Sequence, residues 1–121
     1  MSDLIRAVGQ GNIELVKNLL DDTNVDINEQ DQFGRTALMV AAYGRNTEEQ
    51  NPRYGLIPSE ILKLLLEQTG IRMDVQNNMD DGSVPNKDNT ALHYAVSGFR
   101  EGERLIRLRM IIEAMETEDD K

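Results

Sequence analysis

Thr36-Ala37-Leu38-Met39-Val40-Ala41 and Thr90-Ala91-Leu92-His93-Tyr94-Ala95 are two copies of one pattern, Thr-Ala-Leu-x-x-Ala. A third stretch, Leu4-Ile5-Arg6-Ala7, keeps the Leu-x-x-Ala part without the Thr-Ala opening. Each is followed by a second apolar run: Glu14 to Leu20, Glu60 to Leu66, and Leu105 to Ile112. In the first run Leu15, Val16, Leu19 and Leu20 fall at i, i+1, i+4 and i+5, which makes one stripe of a helix. Ile61, Leu62, Leu65 and Leu66 repeat that spacing. The small residues Ala7, Ala41, Ala42 and Ala95 leave room for a neighbouring helix to approach closely. Gly11-Asn12, Asp31-Gln32-Phe33-Gly34, Thr69-Gly70 and Asp80-Asp81-Gly82 punctuate the runs as turns. The chain therefore reads as three helix pairs in series. One such pair cannot bury its own apolar face, and stacking closes the core.

These motifs together resemble the ankyrin repeat family, whose unit of about 33 residues is a β-turn followed by two antiparallel helices with a Thr-Pro-Leu-His-x-Ala signature. Thr90 to Ala95 matches with Ala91 in place of Pro, and Thr36 to Ala41 matches with the His also lost. Asp31-Gln32-Phe33-Gly34 is similar to the family's turn. Gly11 to Leu20 is similar to its second helix. Val25-Asp26-Ile27-Asn28 is similar to its strand-like exit, which Met73-Asp74-Val75-Gln76 echoes. The resemblance covers nearly the whole chain. It implies an all-α solenoid of antiparallel helix pairs with short β-turn fingers, in a single domain 1–121. The units would be an N-terminal capping repeat over 1–30, a second repeat over 31–77 with an insertion at 43–59, and a C-terminal repeat over 78–121 with an acidic tail. Further departures from the family pattern are a lengthened finger at Asn77 to Lys87, Asp88 where the second unit has Gly34, and extra residues from Ser97 to Glu103.

The terminal units are expected to be polar outside. Ser2 or Asp3 is placed to cap the first helix. In the last helix, Arg104 and Arg107 are expected in water while Leu105, Leu108 and Ile112 face inward. Met39, Met110 and Met115 are expected in the core, and Met73 and Met79 partly exposed at the turn. Polar ends speak against end-to-end stacking, so a complete chain and a monomer are the expectation.

Composition narrows the function. The 121 residues contain no Cys, which excludes disulfides, thiolate nucleophiles and Cys-based zinc sites. No secretory signal opens the sequence, and no run of about 18 apolar residues is present to span a membrane. A cytoplasmic setting is the expectation, with no membrane partner. A net charge of −9 repels phosphate backbones, so nucleic acid is not expected and a basic protein partner fits better. The cluster Arg100, Arg104, Arg107 and Arg109 is surrounded by Glu101, Glu103, Glu113 and Glu116 and reads as a solvated helix face.

No catalytic constellation is visible. His93 is the only His, and at this place in the family's motif it is a structural hydrogen-bonding residue. No second His, Cys or Gly-x-Ser-x-Gly completes a nucleophilic site. Gly9-Gln10-Gly11-Asn12 lacks the Gly-Lys-Ser/Thr of a phosphate loop. The acidic turn over 74–82 lacks the spacing of a calcium loop, although a small metal-assisted enzyme built on it is the alternative function. The expectation is a protein with no cofactor and no metal that is not an enzyme. It is a protein-interaction module, in its specific form an inhibitor or regulator of one partner protein. The resemblance implies a concave binding face of finger tips and first helices, comprising Gln10, Gln32, Phe33, Arg35, Tyr43, Asn86, Lys87, Asn89 and Ser97. Phe33 has two readings: an exposed anchor at a turn tip, or a ring folded back onto the neighbouring finger. The insertion, with Arg53 and Tyr54 as its polar and aromatic candidates, reads either as a tolerated surface loop or as a second contact surface.

Overall fold

The computed structural model describes residues 3–45, 55–78, 89–98 and 101–117. Among the described residues six helices follow in order: α1 Asp3–Gly9, α2 Ile13–Leu20, α3 Ala37–Tyr43, α4 Ser59–Leu66, α5 Ala91–Val96 and α6 Glu101–Glu116. Each odd helix packs on the even helix that follows it. The odd helices stack on one another as an inner layer, and the even helices form an outer layer. Among the described residues there is no strand beyond an isolated antiparallel bridge between Arg45 and Leu56. The fold is all-α, as the repeated motif predicts.

The local chemistry of the helix ends follows the sequence. Asn12 caps α2 by accepting from the Leu15 N–H at 3.1 Å, and Thr36 caps α3 by accepting from the Met39 N–H at 3.3 Å. At α5 the Thr90 N–H donates to His93 Nδ1 at 3.0 Å, and the Thr90 hydroxyl lies 3.0 Å from the same nitrogen. His93 therefore locks a helix start, the structural role expected of it. After α2, the Asp22 carboxylate accepts from the Asn24 N–H at 2.9 Å, so an Asx turn of Asp22 supplies the helix exit.

Alanines set the inner layer. Ala7, Ala37, Ala41, Ala42, Ala91 and Ala95 are all essentially inaccessible and let the short inner helices sit close together. Val8, Leu38, Met39, Ile61, Leu62, Leu65 and Tyr94 fill the space between the layers. Met73 joins this core, contrary to the expectation that it would be partly exposed; Met79 lies outside the described residues.

The last helix departs most from expectation. Arg107 was expected in water and is 0% exposed, while Leu105 was expected inside and is 67% exposed. Ile112 and Met115 also face out, at 42% and 44%. Leu108 and Met110 pack partly against the core, and Ile111 is fully buried. The cause lies at the ends of the inner helices. The Arg107 Nε donates to the Ala42 carbonyl at the C-terminus of α3, at 3.0 Å. Neighbouring Arg104 donates through Nε to the Gly98 carbonyl just past α5, at 2.9 Å. Unsatisfied carbonyls and the negative end of the helix dipole gather at these termini, and guanidinium groups answer both needs. Meeting them turns the helix so that Leu105, Ile106 and Ile112 stand exposed among the polar Arg109, Glu113 and Glu116.

Glycines make room for the Arg107 side chain. Gly44 closes α3 in the left-handed region at φ 81°, donating to Val40 O at 3.0 Å. A Cβ at Gly44 would lie 2.4 Å from Arg107 Cζ, and one at Gly98 would lie 3.0 Å from Arg107 Nη2. Burial lowers the Arg107 pKa, opposed by the charge of Glu103 and assisted by that of Arg104; a guanidinium keeps its proton nonetheless.

The insertion after α3 is pinned at its base. Besides the Arg45–Leu56 bridge, the Ile57 N–H donates to the Gly44 carbonyl at 2.7 Å, and Ile57 is buried. The chain leaves the C-terminal end of α3 and returns to it.

Candidate functional site

A concavity that takes in two of the binding candidates, Gln32 and Arg35, lies between α1, the 29–35 turn and α3. It encloses about 400 Å³ and is lined by Ile5, Arg6, Glu29, Gln30, Asp31, Gln32, Arg35 and Val40. Ile5 and Val40, both nearly buried, make its apolar floor. Arg6, Glu29 and Gln32 are exposed around it and mix both charges with amide groups. An apolar floor with a few convergent polar groups suits recognition of a ligand or of a partner's side chains.

The turn on its rim is held in one shape. Asp31 Oδ1 accepts from the N–H groups of Phe33 and Arg35, both at 2.9 Å, while Oδ2 pairs with Arg35 Nε at 2.8 Å. The Arg35 guanidinium lies over the Phe33 ring, with Cζ 5.1 Å from its centroid. Gly34 supplies the positive φ, 79°, that the turn requires. The turn is also tied to the one that follows. The Asn78 N–H donates to the Phe33 carbonyl at 2.9 Å, and Gln30 Nε2 donates to the carbonyls of Gly34 at 2.8 Å and Gln76 at 3.0 Å. Asn28 adds a second tie, accepting from the Arg72 N–H and donating to the Gly70 carbonyl, both at 2.9 Å. The groove edge is thus preorganised, which limits the ordering that binding must offset.

Of the residues expected on the concave face, the structure brings Gln32 and Arg35 to this groove, with Phe33 half-buried beside Arg35. Phe33 meets Arg35 through its ring and the neighbouring turn through its backbone, so it takes something from each reading. Gln10 is half-buried at the end of α1. Tyr43 packs against the core, its ring edge-on to Tyr94 at 6.4 Å and 88°. Asn89 is committed to buried Asn77 through two backbone bonds, its N–H donating to Asn77 Oδ1 at 2.7 Å and its carbonyl accepting at 2.9 Å. Ser97 is exposed at the end of α5. Arg53, Tyr54, Asn86 and Lys87 lie outside the described residues. Ile5, Arg6, Gln30 and Val40 belong to the groove and were not anticipated. The Leu-x-x-Ala spacing carried part of the signal, since it buries Leu4 and Ala7 and leaves Ile5 and Arg6 at the inner edge of α1.

The acidic turn offers no comparable geometry where it is described. Asp74 is exposed and hydrogen-bonded to Arg72 at 3.2 and 3.3 Å, and that bond holds its carboxyl below the usual range. Among the described residues no group of three or more His, Cys, Asp or Glu is placed to hold a metal ion, and no helix is long and apolar enough to cross a membrane.

Comparison with known proteins places this arrangement. A family model described as ankyrin repeats in three copies matches residues 4–108. No curated protein matches the chain significantly. Among solved structures, a chain in the structure of the predatory endopeptidase Bd0816 from Bdellovibrio bacteriovorus in complex with immunity protein Bd3460 is similar, with 29% identity and a TM-score of 0.65. That match covers 94% of this chain and 47% of the other. EF0377, an ankyrin repeat protein, is similar with 31% identity and a TM-score of 0.60, over 91% of this chain and 45% of its own. The chain spans less than half the length of either.

Proposed function

The chain belongs to the ankyrin repeat family, whose repeats mediate protein–protein interaction, and from that premise we propose that it is a non-enzymatic binding module acting on one partner protein. The groove beside Asp31–Arg35 is the observation that carries this reading. It joins an apolar floor to a polar rim held rigid by hydrogen bonds. Gln32 and Arg35 are the contact residues carried over from the sequence, and Ile5, Arg6 and Gln30 join them. Phe33, stacked under Arg35, holds that guanidinium in place.

In its specific form the proposal is an inhibitor or regulator. The similarity to a structure that pairs an endopeptidase with an immunity protein supports it. A net charge of −9 steers a basic partner towards the module over distances of about 8–10 Å at ordinary salt. A cytoplasmic setting, units over 1–30, 31–77 and 78–121, and the insertion as a second contact surface complete the same reading.

Two experiments test it. A tagged chain isolates the partner from its native host, and Arg6→Glu and Gln32→Arg are then titrated against it. Circular dichroism and the denaturant midpoint of each variant check the fold; weakening of about tenfold or more at unchanged stability is expected, and full affinity in both variants would place the contact elsewhere. Replacing residues 46–54 with a Gly-Ser linker leaves the Arg45–Leu56 base intact. Lost affinity at equal stability supports the second surface, and unchanged affinity reduces the insertion to a tolerated loop.

A further inference from the structure

Arg35 stands between an aromatic ring and the groove. Its guanidinium lies over Phe33, with Cζ 5.1 Å from the ring centroid. Its Nε is held by Asp31 Oδ2 at 2.8 Å, in an ion pair whose side chains are only 20% and 8% exposed, so the plane is fixed. Arg35 lines the groove and Phe33 does not. The ring therefore backs the guanidinium, and the groove lies in front of it. Arg6 on α1 brings a second guanidinium to the same lining.

The floor and the charges narrow what such a wall can receive. Ile5 and Val40 are 8% and 5% exposed, so they offer an incoming aliphatic side chain little apolar area to cover. An aromatic ring gains more, because its electron-rich face is attracted to a cation and arginine stacks on such faces. The space of about 400 Å³ is large enough for one aromatic side chain. An anionic group fits poorly. Arg6 and Arg35 are balanced in the lining by Glu29 and Asp31, and a phosphate or carboxylate would meet both of those carboxylates. Glu29, Gln30 and Gln32 carry side-chain oxygens on the rim, to which a phenol O–H can donate.

We propose that the groove receives a tyrosine side chain of the partner, its ring resting on Ile5 and Val40 and stacked against Arg35. Phe33, Arg35 and the incoming ring then form three layers. The inference rests on the reading of the groove as the partner's contact surface, and it names what the partner places there. Phe33 and Asp31 hold the guanidinium in position before binding, so little freedom is lost on engagement. Tyrosine suits such a contact because it covers a large area with few rotatable bonds.

Nuclear magnetic resonance of the full chain, with methyl groups and arginine Nε–H labelled, tests this before the partner is known. N-acetyl-tyrosinamide is the probe, with N-acetyl-leucinamide and the phosphorylated tyrosine amide beside it. A seated ring shields nuclei under its face. The Ile5 and Val40 methyl signals and the Arg35 Nε–H should therefore move upfield, saturating in the millimolar range expected of a single residue. The leucine probe should bind more weakly by about threefold or more, and the phosphorylated probe no more tightly than the tyrosine. Arg35→Met removes the cation but keeps an unbranched side chain, and it should weaken the tyrosine probe by about threefold or more. Circular dichroism and the denaturant midpoint check that variant; should it fail to fold, the three probes on the wild-type chain decide. Absence of a saturable shift at Ile5 and Val40 overturns the proposal. Leucine binding as tightly as tyrosine overturns it in favour of a plain apolar pocket, and tighter binding of the phosphorylated probe does so in favour of an anion site. The partner's affinity for Arg6→Glu and Gln32→Arg separates the two readings. If that affinity falls while the tyrosine probe gives no shift, the aromatic contact is lost and the groove stays the contact surface. If it is unchanged, the contact surface is lost and the proposal falls with it.

Discussion

α4 and α6 hold the same place in successive units, yet they treat polarity in opposite ways. α4 buries Ile61, Leu62, Leu65 and Leu66 and leaves Glu60 and Lys63 in water. α6 buries Arg107 beside Ile111 and turns Leu105, Ile106 and Ile112 outward. The difference arises from what each helix must satisfy. α4 meets a core of side chains. α6 also meets the carbonyl ends of α3 and of the segment after α5, to which Arg107 and Arg104 donate. A buried guanidinium that satisfies backbone carbonyls at the end of a helix can decide the rotation of a helix against the preference of its own apolar residues.

Removing the buried cation should break the comparison most severely. Arg107→Ala takes a large side chain out of a closed space and strands the Ala42 carbonyl. The expected loss is roughly 3–5 kcal/mol in denaturant unfolding. A loss of a few tenths would mean that the side chain is in water after all.

A smaller effect is expected next to it. Gly44→Ala adds a methyl group 2.4 Å from the Arg107 guanidinium carbon at a left-handed φ. The strained backbone conformation alone costs about 1–2 kcal/mol, and displacement of the guanidinium adds to it. The two parts separate in a double-mutant cycle with Arg107→Ala: the backbone part stays and the steric part vanishes. Simple additivity would show that the two groups do not touch.

The smallest effect sharpens the contrast from the other side. Leu105→Ser should change stability by no more than about 0.5 kcal/mol in denaturant unfolding. The matching change in α4, Leu65→Ser, should cost several times more, because Leu65 is fully buried. Equal costs would put α6 back in the orientation that its leucines suggest.

Most of the fold could be read from local chemistry. Thr36 and Thr90 open inner helices, Leu19-Leu20 and Leu65-Leu66 mark outer ones, and Asp31 with Gly34 builds the turn between units. Each of these acts within a few residues of itself. The rotation of α6 could not be read in this way. Its apolar residues are spread around the whole helix, so periodicity selects no single face. What decides it is a bond between Arg107 and Ala42, 65 positions apart. The candidate site divides along the same line. Gln32 and Arg35 follow from the turn motif, whereas Ile5 and Arg6 enter the groove only once α1 is stacked on α3. Tyr43 and Asn89 looked available in the sequence because their partners, Tyr94 and Asn77, are distant in it.

The state of the Arg107 side chain can be observed directly. In a nitrogen-edited nuclear magnetic resonance spectrum, the Nε–H of Arg107 should exchange slowly with solvent and show a contact to Ala42 or Gly44, while that of exposed Arg109 exchanges fast. An Arg107 Nε–H that exchanges as fast as that of Arg109, with no contact to α3, would contradict the inverted packing of the last helix.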